Sequence, residues 1–264
     1  MPEGDTVWLA CKRLDEALAG KELVGSDFRV PALATVDLRG ETVLSVVPRG
    51  KHLLTRFSSG RTLHTHFRME GAWHLYSPEA RWTGGPDHQV RAVLAVPDRV
   101  AVGYRLPVVE LVATADEDSV VGHLGPDVLS DDFDRDEAVR RLAAAPGREI
   151  GMALLDQRNL AGIGNLYRLE ALFLRGVNPW TRVADVDLPP LVTLARRLMV
   201  QNKLHAQQIT TGSTRRGEEH WVFERGRKPC RRCGTPVAKA DQGNAPYARV
   251  TYWCPRCQPA VTVR

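Results

Sequence analysis

Between residues 6 and 19 apolar side chains return every three or four positions, placing Val7, Ala10, Cys11, Leu14, Ala17 and Leu18 on one stripe. That period predicts an amphipathic helix, capped by Asp5 or Thr6 and ended by Gly20. From Lys21 to about Ala113 the period shortens to two, in short runs such as 42–47, 52–57, 61–67 and 90–96. Turn formers separate them, as in Ser58-Ser59-Gly60, and many short strands predict a sandwich or barrel. Residues 116–137 are acidic and turn-rich around Gly125-Pro126-Asp127, which predicts a domain boundary and a hinge. Helical spacing then returns over 136–145, 151–156, 166–175 and 190–202, the last with a core stripe of Leu191, Leu194, Leu198 and Met199. The expected class is α+β: an N-terminal β-sandwich with flanking helices (1–125), a helical domain (126–225) and a small module (226–264).

Composition changes this picture little. A chain of 264 residues with 43% hydrophobic and 25% charged residues is of ordinary globular type. No apolar run approaches the roughly 20 residues that span a bilayer, and the acidic start is unlike a signal peptide. The expectation is a cytoplasmic protein with no membrane partner. Charge is more informative: residues 1–130 hold 14 basic and 17 acidic side chains, and residues 131–264 hold 22 and 14. From Arg225 onward there are nine basic residues and one acid, Asp241. Such a segment suits a polyanion, because each phosphate contact releases counterions. A solvated surface with a charge bias is the plain alternative.

Four cysteines, Cys230, Cys233, Cys254 and Cys257, follow the spacing C-x2-C-x20-C-x2-C. Two such knuckles bring four thiolates together around one structural Zn²⁺, with a hairpin between them. A redox dithiol pair is the competing reading. Cys11 stands apart as a small buried apolar residue.

Residues Pro2-Glu3-Gly4 matter chemically if Met1 is removed, because the chain then begins with a secondary amine. An α-amino group ionises near ~7.7–8.0 against ~10.4 for lysine, so more of it is nucleophilic at neutral pH. Condensed with the C1′ aldehyde of an opened deoxyribose, it must form an iminium cation, which acidifies C2′ and favours elimination of the 3′ phosphate. Glu3 stands beside it as a proton donor and shuttle. Met-Pro starts are common, so the dipeptide alone carries little weight.

Three separated segments resemble the formamidopyrimidine-DNA glycosylase/endonuclease VIII family. The Met-Pro-Glu-Gly start is similar to its endonuclease VIII branch, in the manner of an actinobacterial paralogue. The run Leu154-Leu155-Asp156-Gln157-Arg158-Asn159-Leu160-Ala161-Gly162-Ile163-Gly164-Asn165-Leu166-Tyr167 resembles its helix–two-turn–helix segment, and Arg249-Val250-Thr251-Tyr252-Trp253-Cys254-Pro255-Arg256-Cys257-Gln258 its zinc-finger β-hairpin. The resemblance implies a bifunctional DNA glycosylase/AP lyase, acting on oxidised pyrimidines in damaged DNA as a monomer. Pro2 is then the nucleophile and Glu3 the proton donor. Lys51 approaches a lesion-side phosphate and is the alternative Schiff-base amine. His66, Asn165 and Arg249 contact the DNA backbone, beside a helix N-terminus opened by Gly162 and Gly164 that is itself a phosphate site. Met69 wedges into the void left by the flipped nucleotide. Each has a plainer reading: surface lysine, strand-end histidine, helix cap, solvated arginine, core methionine.

Two departures stand out. The family has Pro-Glu where this chain has Asp5-Thr6, so a carboxylate is missing at position 6. The Arg-Phe part of the wedge finds only a loose likeness in Tyr104, Arg105 and Leu106. Residues 210–219 form a loop long enough to cover an extruded base. Two rivals follow, a non-catalytic damage-binding paralogue and a glycosylase without lyase activity.

Overall fold

The apolar stripe of the first helix organises the N-terminal half. In the computed structural model, which describes residues 2–246 and 248–260, α1 (Gly4–Leu18) buries Val7, Cys11, Leu14, Ala17 and Leu18. The helix begins before the expected caps: Glu3 is the N-cap, and Asp5 and Thr6 lie inside its first turn. Gly4 permits this, since its helical backbone is buried and carries no side chain. Gly20 (φ +76°) lies just past the end, where a left-handed conformation favours glycine.

Two four-stranded antiparallel sheets flank the stripe. One runs β1 (Gly25–Phe28), β6 (Val90–Val96), β7 (Arg99–Tyr104), β5 (Ala72–Tyr76); the other runs β2 (Val43–Arg49), β3 (His52–Phe57), β4 (Arg61–His66), β8 (Val108–Ala113). Val7, Leu14 and Leu18 share one core with Leu53, Phe57 and Leu63 of the second sheet and Leu94 and Ala101 of the first. Alternation along β3 and β4 puts these on the inner face. The outer face carries His52 and Arg56 of β3, with Thr62, His64 and His66 of β4.

That outer face is why the acidic stretch is not a loose linker from its beginning. Glu117 accepts from Arg56 Nε and Nη2 at 2.7 Å each and from Thr62 Oγ1 at 2.7 Å, and Thr114 meets Thr62 at 2.9 Å. Residues 114–117 and α2 (Asp118–Val121) are thus strapped to the sheet. The first compact unit ends at His123 and the second spans Leu124 onward.

The second unit contains α3 (Arg135–Ala143), α4 (Ile150–Leu155), α5 (Asn165–Arg175), α6 (Leu188–Asn202) and the hairpin β9 (Ala238–Gln242)–β10 (Arg249–Trp253). In α6 the buried stripe is Leu191, Val192, Ala195, Leu198 and Met199, with Leu194 half-buried. The cysteine-bearing hairpin packs into this unit. Arg168 of α5, with no solvent exposure, donates to Asn165 Oδ1 (2.9 Å), Gln242 Oε1 (2.8 Å) and Thr251 Oγ1 (2.8 Å). Gln242 in turn donates to Glu149 Oε2 and Pro179 O. A Cβ on Gly151 would stand 2.5 Å from Gln242 Oε1 and 2.9 Å from Arg168 Nη1, so only glycine fits beside the network.

Removing one partner of a buried charge network costs about 3–5 kcal/mol, because polar groups are left without partners. Arg168→Ala is therefore expected to lower second-unit stability by that order, read as a shifted urea midpoint with lost amide protection on β9 and β10. An unchanged midpoint would show that the network contributes nothing.

Candidate functional site

Each proposed site residue sits at an element terminus or turn. Pro2 is half-buried immediately before α1, and Glu3, with extended dihedrals (φ −117°, ψ −172°), is fully buried. Asp5 is buried too, with Thr6 Oγ1 at 3.5 Å from its Oδ1. Two carboxylates thus lie at the positive end of α1, where the helix dipole favours negative charge. Met1 lies outside the described residues.

Lys51 occupies the two-residue turn between β2 and β3, closed by the pairing of Arg49 with His52. Gly50 takes φ +59°, the conformation such a turn requires of its first residue. Across from His52 stands His66, the last residue of β4. The backbone N–H of Arg68 donates to His66 Nδ1 at 2.8 Å. That bond assigns the ring proton of neutral His66 to Nε2, making it an outward donor. Burial, then the charges of Lys51 and Arg68, push the ring down to about 4, so His66 is neutral at pH 7.

The next loop is held from both ends. Arg68 adopts φ +46°, Gly71 N–H donates to Phe67 O at 2.9 Å, and Arg105 Nε donates to Glu70 O at 3.1 Å. A Cβ on Gly71 would lie 2.8 Å from Phe67 O, so the turn needs glycine. At its tip Met69 is 61% exposed, which rules out the core reading. Tyr104 and Leu106 are buried, so the loose wedge likeness at 103–109 fails for both; they are packing residues. Arg105 braces the Met69 loop instead.

Sequence reasoning missed the rings beside His66. His52 Nδ1 and His64 Nε2 are 2.7 Å apart, and His64 Nδ1 lies 3.2 Å from Glu110 Oε2. His52 stacks on His64 (centroids 5.0 Å apart) and meets His66 edge-on at 4.8 Å. Burial first, then neighbouring His66, His64, His123 and Lys51, push His52 down to about 3. Their shared phase of the strand period was the available signal.

In the second unit, Gly162 (φ +102°) and the N-cap Gly164 form the turn before α5. Gln157 braces it, accepting from Gly162 N–H and donating to Leu155 O and Ile163 O. Asn165 Nδ2 donates to Val250 O at 2.9 Å, fastening the start of α5 to β10. Arg249, the exposed first residue of β10, follows Ala248, whose carbonyl accepts from Arg249 Nη1. The 210–219 loop is stapled: Thr210 N–H donates to Glu219 O, and buried Glu170 accepts from Thr210 Oγ1 and the amides of Trp221, Val222 and Phe223.

The thiol sulfurs of Cys230, Cys233, Cys254 and Cys257 all lie within 4.8 Å of one another, with Cys230–Cys257 at 3.9 Å and Cys233–Cys254 at 3.4 Å. Four thiolates about 2.3 Å from one tetrahedral ion stand about 3.8 Å apart, so the cluster fits such an ion. Among the described residues, no other group of three or more His, Cys, Asp or Glu converges this way.

Comparison with known proteins decides the family. Residues 1–105 match the formamidopyrimidine-DNA glycosylase N-terminal domain, and residues 124–211 its H2TH domain. A probable endonuclease 8 2 of Streptomyces coelicolor is 54% identical over 98% of this chain and 94% of its own. The chain belongs to the formamidopyrimidine-DNA glycosylase/endonuclease VIII family. A DNA-(apurinic or apyrimidinic site) lyase Nei2 of Mycolicibacterium smegmatis is 42% identical, covering 98% of this chain and all of the relative. The fold matches Lactococcus lactis Fpg in complex with abasic-site DNA (TM-score 0.81, 23% identity, covering 98% of this chain and 100% of that one). These actinobacterial relatives agree with the branch suggested by the Met-Pro-Glu-Gly start. Among the described residues no helix is long and apolar enough to cross a membrane.

The contrast between Met69 and Leu106 is testable. Met69→Ala should leave the thermal midpoint within the range of surface substitutions, about 0.5 kcal/mol, whereas Leu106→Ala should cost about 2–5 kcal/mol. Equal losses would return Met69 to the core.

Proposed function

We propose that this member of the family is a bifunctional DNA glycosylase/AP lyase that removes oxidised pyrimidines through an iminium on Pro2. DNA glycosylase and AP lyase activity follows from membership and from relatives named endonuclease 8 and AP lyase. The single observation that carries the finer reading is the N-terminal arrangement: Pro2 directly before α1, with the fully buried Glu3 beside it. Once Met1 is removed, the lone pair of Pro2 attacks C1′, and the base leaves with the electrons of the glycosidic bond and takes up the proton shed by the Pro2 nitrogen. The nitrogen lone pair then forms the iminium as the C1′–O4′ bond opens and Glu3 gives its proton to O4′. Glu3, now a carboxylate, accepts the C2′ proton as the 3′ phosphate is expelled, and a second elimination expels the 5′ phosphate.

Binding is assigned to groups whose geometry suits phosphates. His66 offers an Nε2–H donor without charge and Lys51 a point charge beside it. The α5 N-terminus opened by Gly162 and Gly164 offers backbone N–H groups, joined by Asn165 and exposed Arg249. Exposed Met69 fills the gap left by the extruded nucleotide. The cluster holds one Zn²⁺ when bound, which supplies folding free energy to the hairpin and no reaction chemistry.

Borohydride reduction during turnover is expected to trap a covalent protein–DNA adduct that mass spectrometry places on residue 2. Absence of an adduct with abasic or oxidised-pyrimidine substrates, using Met1-free protein, would sink the chemistry and favour a damage-binding paralogue. Free-base release without an adduct would leave a glycosylase lacking lyase activity. Activity retained in Pro2→Gly but lost in Lys51→Ala would move the nucleophile to Lys51. In parallel, elemental analysis should find one zinc per chain, and its removal by chelator should lower the thermal midpoint and weaken DNA binding.

A further inference from the structure

Beneath the Lys51 turn, the outer face of the second sheet buries a chain of ring nitrogens that the proposed chemistry does not use. Glu110 of β8 pairs with His64 of β4, and His64 lies diagonally against His52 of β3. The two links, 3.2 Å and 2.7 Å, run in one line from a carboxylate to His52. His64 is 4% exposed, whereas the Glu110 side chain is half in solvent.

The chain fixes its own tautomers. Glu110 accepts only, so His64 Nδ1 carries a proton and donates to it. In neutral His64, Nε2 is then an acceptor, and His52 Nδ1 must donate. Neutral His52 is left with a bare Nε2. His66, edge-on to His52, is fixed the opposite way: its Nδ1 takes the Arg68 N–H and its Nε2 carries the proton. One ring is therefore a fixed donor and its neighbour a fixed acceptor.

We propose that Glu110, His64 and His52 form a proton relay that takes up one proton when a DNA phosphate docks on Lys51 and His66. This rests on the phosphate-gripping role proposed for those two residues. The proton comes from solvent onto His52 Nε2. The Nδ1 proton passes to His64 Nε2, and the positive charge settles between His52 and Glu110. No other bond is made or broken.

The groups facing the relay account for its dependence on an anion. Lys51 comes from the β2–β3 turn, Arg49 from β2, His66 and Arg68 from the end of β4, and His123 from beyond α2. Arg56, further along β3, is paired with Glu117. Among the hydrogen bonds of the described residues, Glu110 is the acid bonded to the relay; burial and the neighbouring rings and Lys51 push His52 down to about 3 in the free protein. A phosphate bound at His66 stands one ring away, inside the ~8 Å screening length of physiological salt, and offsets the cations. The sign follows: binding raises the proton affinity of the relay, so DNA affinity rises as pH falls. That gain is lost as pH climbs through the value of the bound state. One proton gives at most about tenfold in affinity per pH unit.

The test uses the full-length protein and a duplex bearing an uncleavable tetrahydrofuran abasic analogue, at fixed ionic strength from pH 8 to 5.5. Calorimetry in buffers of different ionisation enthalpy is expected to count about one proton taken up, with affinity rising toward tenfold per pH unit at the steepest. Glu110→Gln keeps a hydrogen-bond acceptor but removes the charge. It should move the rise toward acid by about one pH unit, leaving pH 8 affinity and thermal midpoint unchanged. His64→Gln should abolish the uptake; if it fails to fold, the exposed Glu110 position decides. A flat wild-type profile, a wild-type profile in Glu110→Gln, or loss of uptake on His123→Asn each overturns the relay. Undiminished pH 8 affinity in both Lys51→Ala and His66→Ala overturns the phosphate grip instead.

Discussion

A fully buried guanidinium ties the start of α5 to the cysteine-bearing hairpin in the second unit. Arg168 leaves α5 one turn after the glycine-rich start and bonds to β9, to β10 and to Asn165. Asn165 itself holds Val250, next to Arg249. An unpaired buried charge is far costlier than any of these bonds is favourable, so the start of α5 and the hairpin are held in one arrangement or both are lost. The cysteine cluster fixes the far end of the same hairpin. The cysteine cluster and Arg168 thus constrain the two ends of a segment too small for its own core.

The first unit solves a different problem with the same chemistry. Its inner sheet faces close on α1 through a mainly apolar core, with Thr65 taking the Trp73 Nε1–H and Asp15 of α1 the Val46 N–H, and the outer face of the second sheet carries the histidines. Residues 114–117 strap over Arg56 and Thr62 at one end of that face; at the other end burial is the main cause that pushes His52 and His66 down. In the proposed grip, a neutral donor such as His66 takes a phosphate without first shedding a proton or a tightly held counterion, and Lys51 at the turn supplies the charge.

Periodicity in the sequence made the elements legible because each has one apolar face: β3 and β6 run over the predicted residues, and the helices shift by only one or two positions. The start of α1 was misjudged because capping side chains were sought in Asp5 and Thr6, whereas Glu3 caps by backbone geometry alone. The C-x2-C pairs and the Gly-Ile-Gly turn were legible because their function lies in spacing. Arg168 and the His52–His64–Glu110 chain were not. An arginine inside an amphipathic helix reads as solvated, and Glu110 lies more than 40 residues from His64 in sequence. Only the β4–β8 register brings them side by side.

The departure at positions 5 and 6 can be followed one step further. A helix advances about 100° per residue, so a carboxylate at position 5 points well away from one at position 6. Asp5 is buried, and the Thr6 hydroxyl that stands where the family has a carboxylate lies 3.5 Å from its Oδ1. Asp5 therefore places a carboxyl group at the positive end of α1 without recreating the missing group in place. In the proposed chemistry, proton transfer at the opening sugar then falls to Glu3, which precedes the helix and is not bound to its angular order. On that proposal the Pro2 amine has one neighbouring acid, and the burial of that acid is the observation that lifts a Met-Pro start above a common dipeptide.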